Sequence, residues 1–274
     1  MTPELLNAVA VPQFISLGAG VQSSTMALLA ADGAIAPSPV AAIFADTMAE
    51  PRSVYSWLDQ LKTMLPYPVI CVSAGNLRSA STSVRVSRNG RAYVPTSIPG
   101  FVGQSLAPMM RQCTRDYKIR PIMRAVRRVL SDRGLPKRAV QWIGISTDEV
   151  MRIKPSRERW TENRWPLIEL NMSRGDCVAY LAARGLKAPR SACAFCPFHS
   201  DAEWSRLKRE EPDTFAAVVE YEREMQSAFS RTRHLDGVPW LHRSGLPIGE
   251  AVDSKVNQSQ MSLWGNECEG VCGV

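Results

Sequence analysis

Apolar residues fall into two alternating rhythms over the first seventy positions. Short, nearly continuous runs at P-Q-F-I-S (12–16), V-A-A-I-F-A-D (40–46) and P-V-I-C-V-S (68–73) predict strands. Between them, residues 23–33 (S-S-T-M-A-L-L-A-A-D-G) predict a helix closed by a glycine, and residues 52–62 a second helix. In the latter Val54, Trp57, Leu58 and Leu61 share one face. Strands without a polar face, separated by amphipathic helices, predict a parallel sheet covered on both sides, an α/β doubly wound core.

The rhythm fades between Ala74 and Gln112, where Ser, Gly, Arg and Pro dominate. So long an irregular stretch in a compact domain predicts a lid or substrate loop. Periodicity returns as a helix over 118–133, a strand over 140–146 and a helix over 173–186, with Ser173 as N-cap and Gly185 closing it. Two more helices are predicted at 201–211 and 213–225, before a Gly- and Pro-punctuated end that finishes G-N-E-C-E-G-V-C-G-V. The pattern divides the chain into a core over 1–190 and a helical, cysteine-bearing extension over 191–274. No internal repeat is visible.

Composition narrows the class. The 274 residues are 45% apolar, with no run long enough to cross a bilayer. The start, M-T-P-E-L-L, lacks a basic, then apolar leader, so the expectation is a cytoplasmic protein with no membrane partner. The net charge is +7, and the cations gather at 111–120, at Arg124, Arg127 and Arg128, and at 152–159. Such patches suit phosphates or nucleic acid, and equally a solvated helix face. Seven cysteines in a reducing compartment point to metal or thiol chemistry rather than a disulfide framework.

The segment S-L-G-A-G-V-Q-S-S (16–24) joins the first strand to the first helix. Small residues let amides approach a phosphate, serine hydroxyls add donors, and the helix start adds the positive end of its dipole. Strand carboxyl ends are where open α/β sheets bind ligands. The segment is neither a Walker A loop, lacking Gly-Lys-Ser/Thr, nor G-x-G-x-x-G, since Ser23 stands at the third glycine position.

Together with F-A-D-T-M-A-E-P-R-S-V-Y-S-W-L-D-Q-L (44–61), this loop resembles the PP-loop of the adenine nucleotide α-hydrolase-like superfamily. Within it, the phosphoadenylylsulfate and adenylylsulfate reductase branch, related to PAPS-reductase-like DNA phosphorothioation proteins, is most similar. Gly20-Val21-Gln22 and Asp46-Thr47 occupy that branch's positions, with Met48 in place of its usual Gly. Y-K-I-R-P-I-M-R-A-V (117–126) resembles its Lys-x-x-Pro helix, matching at Lys118, Pro121 and Arg124, with Arg120 where the branch has Glu. W-I-G-I-S-T-D-E-V-M-R (142–152) and W-P-L-I-E-L-N-M-S-R-G-D-C-V-A-Y-L (165–181) extend the likeness over roughly residues 14–200. It implies a five-stranded parallel sheet holding ATP, or an adenylyl sulfate, with Mg2+. The nucleotide-binding candidates are Ser16, Gly18, Gly20, Gln22, Ser23, Ser24, Asp46, Lys118, Arg120 and Arg152, Asp46 also being a catalytic candidate.

Cys71, in the third strand, and Cys177, in a helix, read as buried core thiols. Cys193 and Cys196, in S-A-C-A-F-C-P-F-H, form a turn that suits zinc, with His199 nearby, an iron–sulfur cluster, or no metal. The resemblance favours the cluster, because adenylylsulfate reductases carry a Cys-Cys pair before the Lys-x-x-Pro helix and a later Cys-x-x-Cys. Here Gln112-Cys113 stands at the pair, so a [4Fe-4S] cluster would take Cys113, Cys193, Cys196 and Cys272, or Cys268 instead.

Two reactions share the resemblance. One is ATP-dependent activation and sulfur transfer to a nucleic acid, tRNA or DNA, with a sulfur donor protein as partner. The other is thiol-dependent reduction of an adenylyl sulfate, in which Cys268 of Glu267-Cys268-Glu269-Gly270 would be the nucleophile. Cys268 and Cys272 are thus the catalytic thiol candidates. A non-catalytic nucleotide- or zinc-binding subunit is a third expectation. His199, His234 and His242 sit at no nucleophile elbow, and H-R-S-G-L-P (242–247) suggests no chemistry.

Overall fold

The computed structural model describes residues 11–232 and 237–253. Strand β1 (Gln13–Leu17), helix α1 (Val21–Ala31), β2 (Ala41–Asp46), α2 (Arg52–Met64) and β3 (Val69–Ser73) follow the predicted alternation. The irregular stretch then contains a short helix α3 (Leu77–Thr82) and two small hairpins, β4 (Arg85–Val86) with β5 (Ala92–Tyr93) and β6 (Phe101–Val102) with β7 (Ala107–Pro108). A wide π-type turn, Thr114–Ile119, runs into α4 (Arg120–Asp132). Next come β8 (Ala139–Ile143), a 3-10 turn over Thr147–Arg152, β9 (Thr161–Arg164), α5 (Pro166–Glu169) and α6 (Arg174–Ala182). The extension holds α7 (Asp201–Glu210), α8 (Pro212–Ser230) and α9 (Ile248–Asp253).

The main sheet is five-stranded and wholly parallel, in the order β3-β2-β1-β8-β9. Strand β1 is central, and its alternate residues serve two cores. Ile15 and Leu17 face α1, α2 and α6 together with Ala42 and Phe44, while Phe14 joins Ala41, Ile43 and Ala45 against Ile122, Val126 and Leu130 of α4. Helices therefore cover both faces, as the apolar strands required. Among the described residues, no helix is long and apolar enough to cross a membrane.

A third core joins the extension to the irregular stretch. Leu77, Val94 and Ile98 pack with Trp204, Phe215, Tyr221 and Met225 of the extension. The stretch expected as a lid or substrate loop is anchored by a few widely spaced apolar side chains, too sparse to register as periodicity. The H-R-S-G-L-P segment has a structural role: His242 Nε2 lies 3.1 Å and Arg243 Nη2 2.6 Å from the Asp201 carboxylate. Glu222 on α8 accepts the Leu241 and Ile248 amides at 2.9 and 2.7 Å, tying the segment down.

One expectation is corrected: Cys71 is exposed, because β3 is the edge strand and its side chains are incompletely covered. Cys177 is buried as expected, and burial pushes its thiol up to about 11. The Ser173 cap is present, accepting the Asp176 amide, with Asp176 returning the contact. Ser24 is fully buried, and its hydroxyl accepts the Trp57 indole N–H at 2.9 Å, bolting α1 to α2. Ser24→Ala should therefore lower unfolding stability in urea by about 1–3 kcal/mol, the cost of a buried donor left unmet.

Candidate nucleotide and thiol site

Leu17 ends β1, and the chain turns through Gly18, Ala19 and Gly20 into α1. Ala19 takes a left-handed φ of 56°, which opens the turn at a non-glycine residue. Ser23 locks it: its hydroxyl oxygen accepts the Gly18 and Gly20 amides at 3.2 and 3.3 Å. The loop is closely walled by its neighbours. A β-carbon added at Gly144 would lie 2.9 Å from Ser23 N, and one added at Gly20 would lie 2.7 Å from Ser191 Cβ.

Asp46 ends β2 beside this loop. Its Oδ1 accepts the Met48 amide at 2.7 Å and the Tyr55 hydroxyl at 2.8 Å, while Oδ2 has no protein donor among the described residues. Met48 adopts φ 54°, so methionine holds the left-handed turn where the resembled branch has glycine. Burial and the Asp46 carboxylate both raise the Tyr55 hydroxyl, which stays protonated and donating.

Gln22, on the first turn of α1, is buried and reaches the other flank. Its Nε2 donates to Glu149 at 3.2 Å, its Oε1 accepts Arg174 Nη1 at 3.1 Å, and Glu149 in turn binds Arg152 at 2.6 Å. Arg152 is thus paired within the wall of the site. Ser16 lies within β1 and is half-buried. Arg120 lies at the start of α4, exposed and paired with Asp116 at 2.8 Å.

The Cys193–Cys196 turn packs directly against the loop region. The Ala194 amide donates to Ala49 O at 2.8 Å, and Ser191 fills the space over Gly20. Cys193 and Cys196 are buried and hydrogen-bonded through their side chains, with Cys113, Glu50 and Lys118 near enough to act on Cys193 electrostatically. The bond from Cys196 lowers the Cys193 thiol, but burial with the Glu50 and Cys113 charges outweighs it and holds the thiol above its usual value. His199 Nε2 contacts Cys193 O at 3.0 Å and its ring meets Trp204 edge-on. Burial, aided by Arg190, drops its pKa to about 3, so it is a neutral packing residue and no base at ordinary pH.

Among the described residues, no group of three His, Cys, Asp or Glu side chains converges as a ready metal shell. The donor set nevertheless suits a soft metal or cluster: paired buried thiols, a third thiol nearby, and the Lys118 cation to offset a thiolate-rich centre. Cys268 and Cys272 lie outside the described residues.

Glu50 was not apparent from sequence. Its carboxylate accepts the Thr47 hydroxyl at 3.0 Å and meets Lys118 Nζ at 3.3 Å, both partners buried, while Oε2 has no hydrogen-bond partner among the described residues. The available signal was an acid between two predicted site elements, in A-D-T-M-A-E-P. Arg174 and Ser191 were missed as well, since their roles depend on contacts more than a hundred residues away in the chain.

No protein-family model matches the chain, and no curated protein matches its sequence. Solved structures that resemble it include phosphoadenylyl-sulfate (PAPS) reductase from Candida auris in a phosphate complex. That match has 12% identity over 65% of this chain and 74% of that one, with a TM-score of 0.38. Another is the U34-tRNA thiolase NcsA from Methanococcus maripaludis with its [4Fe-4S] cluster, with 11% identity over 83% of this chain and 73% of that one and a TM-score of 0.37.

Proposed function

We propose that the protein is a PP-loop enzyme that activates an acceptor with ATP and transfers sulfur to it, the acceptor being a nucleic acid, tRNA or DNA. The observation that carries this reading is the packing of the 191–196 segment, which bears Cys193 and Cys196, beside the glycine loop: Ser191 lies over Gly20, and Ala194 bonds to Ala49 in the turn after Asp46. A phosphate loop alone fits any nucleotide-binding protein. Paired thiols built into its wall fit chemistry that joins a nucleotide to sulfur.

In this reading the α1 N-terminus and the loop amides that Ser23 does not hold would receive the phosphates, and the open Oδ2 of Asp46 would hold Mg2+. An acceptor oxygen attacks the α-phosphorus and pyrophosphate leaves. A sulfur nucleophile from a donor protein then attacks the activated carbon, and AMP departs with the oxygen. Cys113, Cys193 and Cys196, with Cys272 or Cys268, would hold a [4Fe-4S] cluster, leaving the remaining terminal thiol for chemistry. Such a cluster supplies thiophilic iron.

The test is thermal. ATP with Mg2+ should raise the melting temperature, by linkage of binding to folding, and Ser23→Ala or Asp46→Ala should abolish the rise. A rise with adenylyl sulfate and none with ATP would replace this reading by reduction, with sulfite released beside AMP and no pyrophosphate. ATP binding without turnover, in protein reconstituted with iron and sulfide and offered tRNA and DNA, would leave an accessory nucleotide-binding subunit.

A further inference from the structure

At the end of the sheet opposite the glycine loop, the C-terminal part of α4 and the segments leading into β8 and β9 border an open cavity of about 610 Å³. Leu130, Leu135 and Trp160, the last partly packed on the core under α4, line it together with Arg127 and Lys137. Arg127 lies over the Trp160 ring, 4.7 Å from its centre. Glu158 fixes both, accepting the Trp160 indole N–H at 2.9 Å and Arg127 Nη2 at 3.2 Å. Nothing in the nucleotide and thiol site uses this cavity.

The surroundings are strongly cationic. Residues 120–138 and 154–160, which meet at Arg127 and Trp160, contain ten Lys or Arg against two acids, Asp132 and Glu158. On α4 the exposed arginines Arg120, Arg124, Arg127 and Arg128 recur at the helical spacing that puts them on one side. The helix is about 20 Å long. Its stripe therefore connects the cavity to the end of the sheet that carries Lys118 and the glycine loop.

A solvated helix face accounts for exposed arginines. It does not account for an apolar cavity at one end of them, lined by an indole that a carboxylate and a guanidinium hold in place. Cations that follow a phosphate backbone, beside an aromatic ring against which a base stacks, are the two elements that single-stranded nucleic acid requires. A cavity of this size accommodates a small planar ligand.

We propose that the arginine side of α4 and the Trp160 cavity form a docking surface for an unpaired stretch of nucleic acid, with phosphates along the helix and one base in the cavity. The proposal rests on the nucleic-acid reading of the acceptor given above. It adds where that acceptor is held and that the held portion is unpaired.

The test is fluorescence anisotropy with a labelled oligouridylate of about 12 nucleotides, its deoxy counterpart and a duplex of equal length, over a series of salt concentrations. Arg128→Gln with Lys137→Gln should flatten the plot of log affinity against log salt by about 0.7 per lost cation on single strands. Trp160→Ala should weaken single-strand binding roughly 5- to 150-fold, Trp160→Phe should restore most of it, and duplex binding should be insensitive to either. Variants that bind with wild-type affinity and slope, or a wild type that binds no oligonucleotide, would overturn the proposal. The ATP-induced thermal shift, measured on the same samples, separates the two ideas. Oligonucleotide binding that needs these residues, without an ATP shift, sinks the enzymatic reading and upholds the surface; an ATP shift without oligonucleotide binding does the reverse.

Discussion

Gly144→Ala is expected to cost the protein about 1–3 kcal/mol of stability, the usual penalty of an overpacked interior, and to erase the thermal shift that the proposed ATP binding would give. The new methyl would lie 2.9 Å from Ser23 N and 3.0 Å from Ser23 Cα. Both are backbone atoms on the first turn of α1, so no flexible side chain can move aside. Either β8 shifts or the loop does, and a displaced Ser23 releases the Gly18 and Gly20 amides that its hydroxyl holds. Gly175→Ala is the matched control, because its methyl would meet only Ser173 Oγ, at 3.5 Å, within a helix. There the change should leave both readouts intact or add stability, as Ala does in helices. Equal behaviour of the two variants, measured by melting with and without ATP and Mg2+, would remove the claim that Gly144 shapes the loop.

Lys118→Met should be costlier still, about 3–5 kcal/mol, the range for breaking one side of a buried ion pair. The Glu50 side chain is only 2% exposed, and without Lys118 it keeps the Thr47 hydroxyl alone among its described partners. The double change Lys118→Met with Glu50→Gln should regain much of the loss, since a neutral amide can still accept the Thr47 hydroxyl and leaves no uncompensated charge. Urea unfolding of both singles and the double gives the coupling. Additive losses would mean that the two residues act independently.

The parts of this fold that were legible in sequence are those where one residue pattern decides the outcome. The apolar runs of β1 and β2 had to be buried on both faces, and the alternation of Phe14 with Ile15 between two cores follows from that. Strand β9 escaped notice because Thr161–Arg164 reads T-E-N-R, without an apolar run; as an edge strand it is specified by pairing with β8 rather than by its own composition. The same edge logic made Cys71 misleading: V-I-C-V-S looks like a buried strand, and only its place in the sheet order exposes it.

At the site, Gly18, Gly20 and Ser23 could be nominated from local chemistry and Asp46 from the resemblance, and the structure places them at the ends of β1 and β2 and the start of α1. The Gln22–Glu149–Arg152–Arg174 wall and the Glu50–Lys118 pair could not be nominated as units, because each partner is unremarkable in its own neighbourhood. Trp160 reads as an ordinary aromatic until Arg127, more than thirty positions earlier, is seen over its ring.

The contact between Gly20 and Ser191 also bears on how the chain is made. At ordinary synthesis rates the residues that finish the first loop's wall are added roughly 10–30 s after the loop itself. During that interval the growing polypeptide carries an incomplete pocket and exposed apolar strands, which is the period when a nascent chain most needs protection by chaperones.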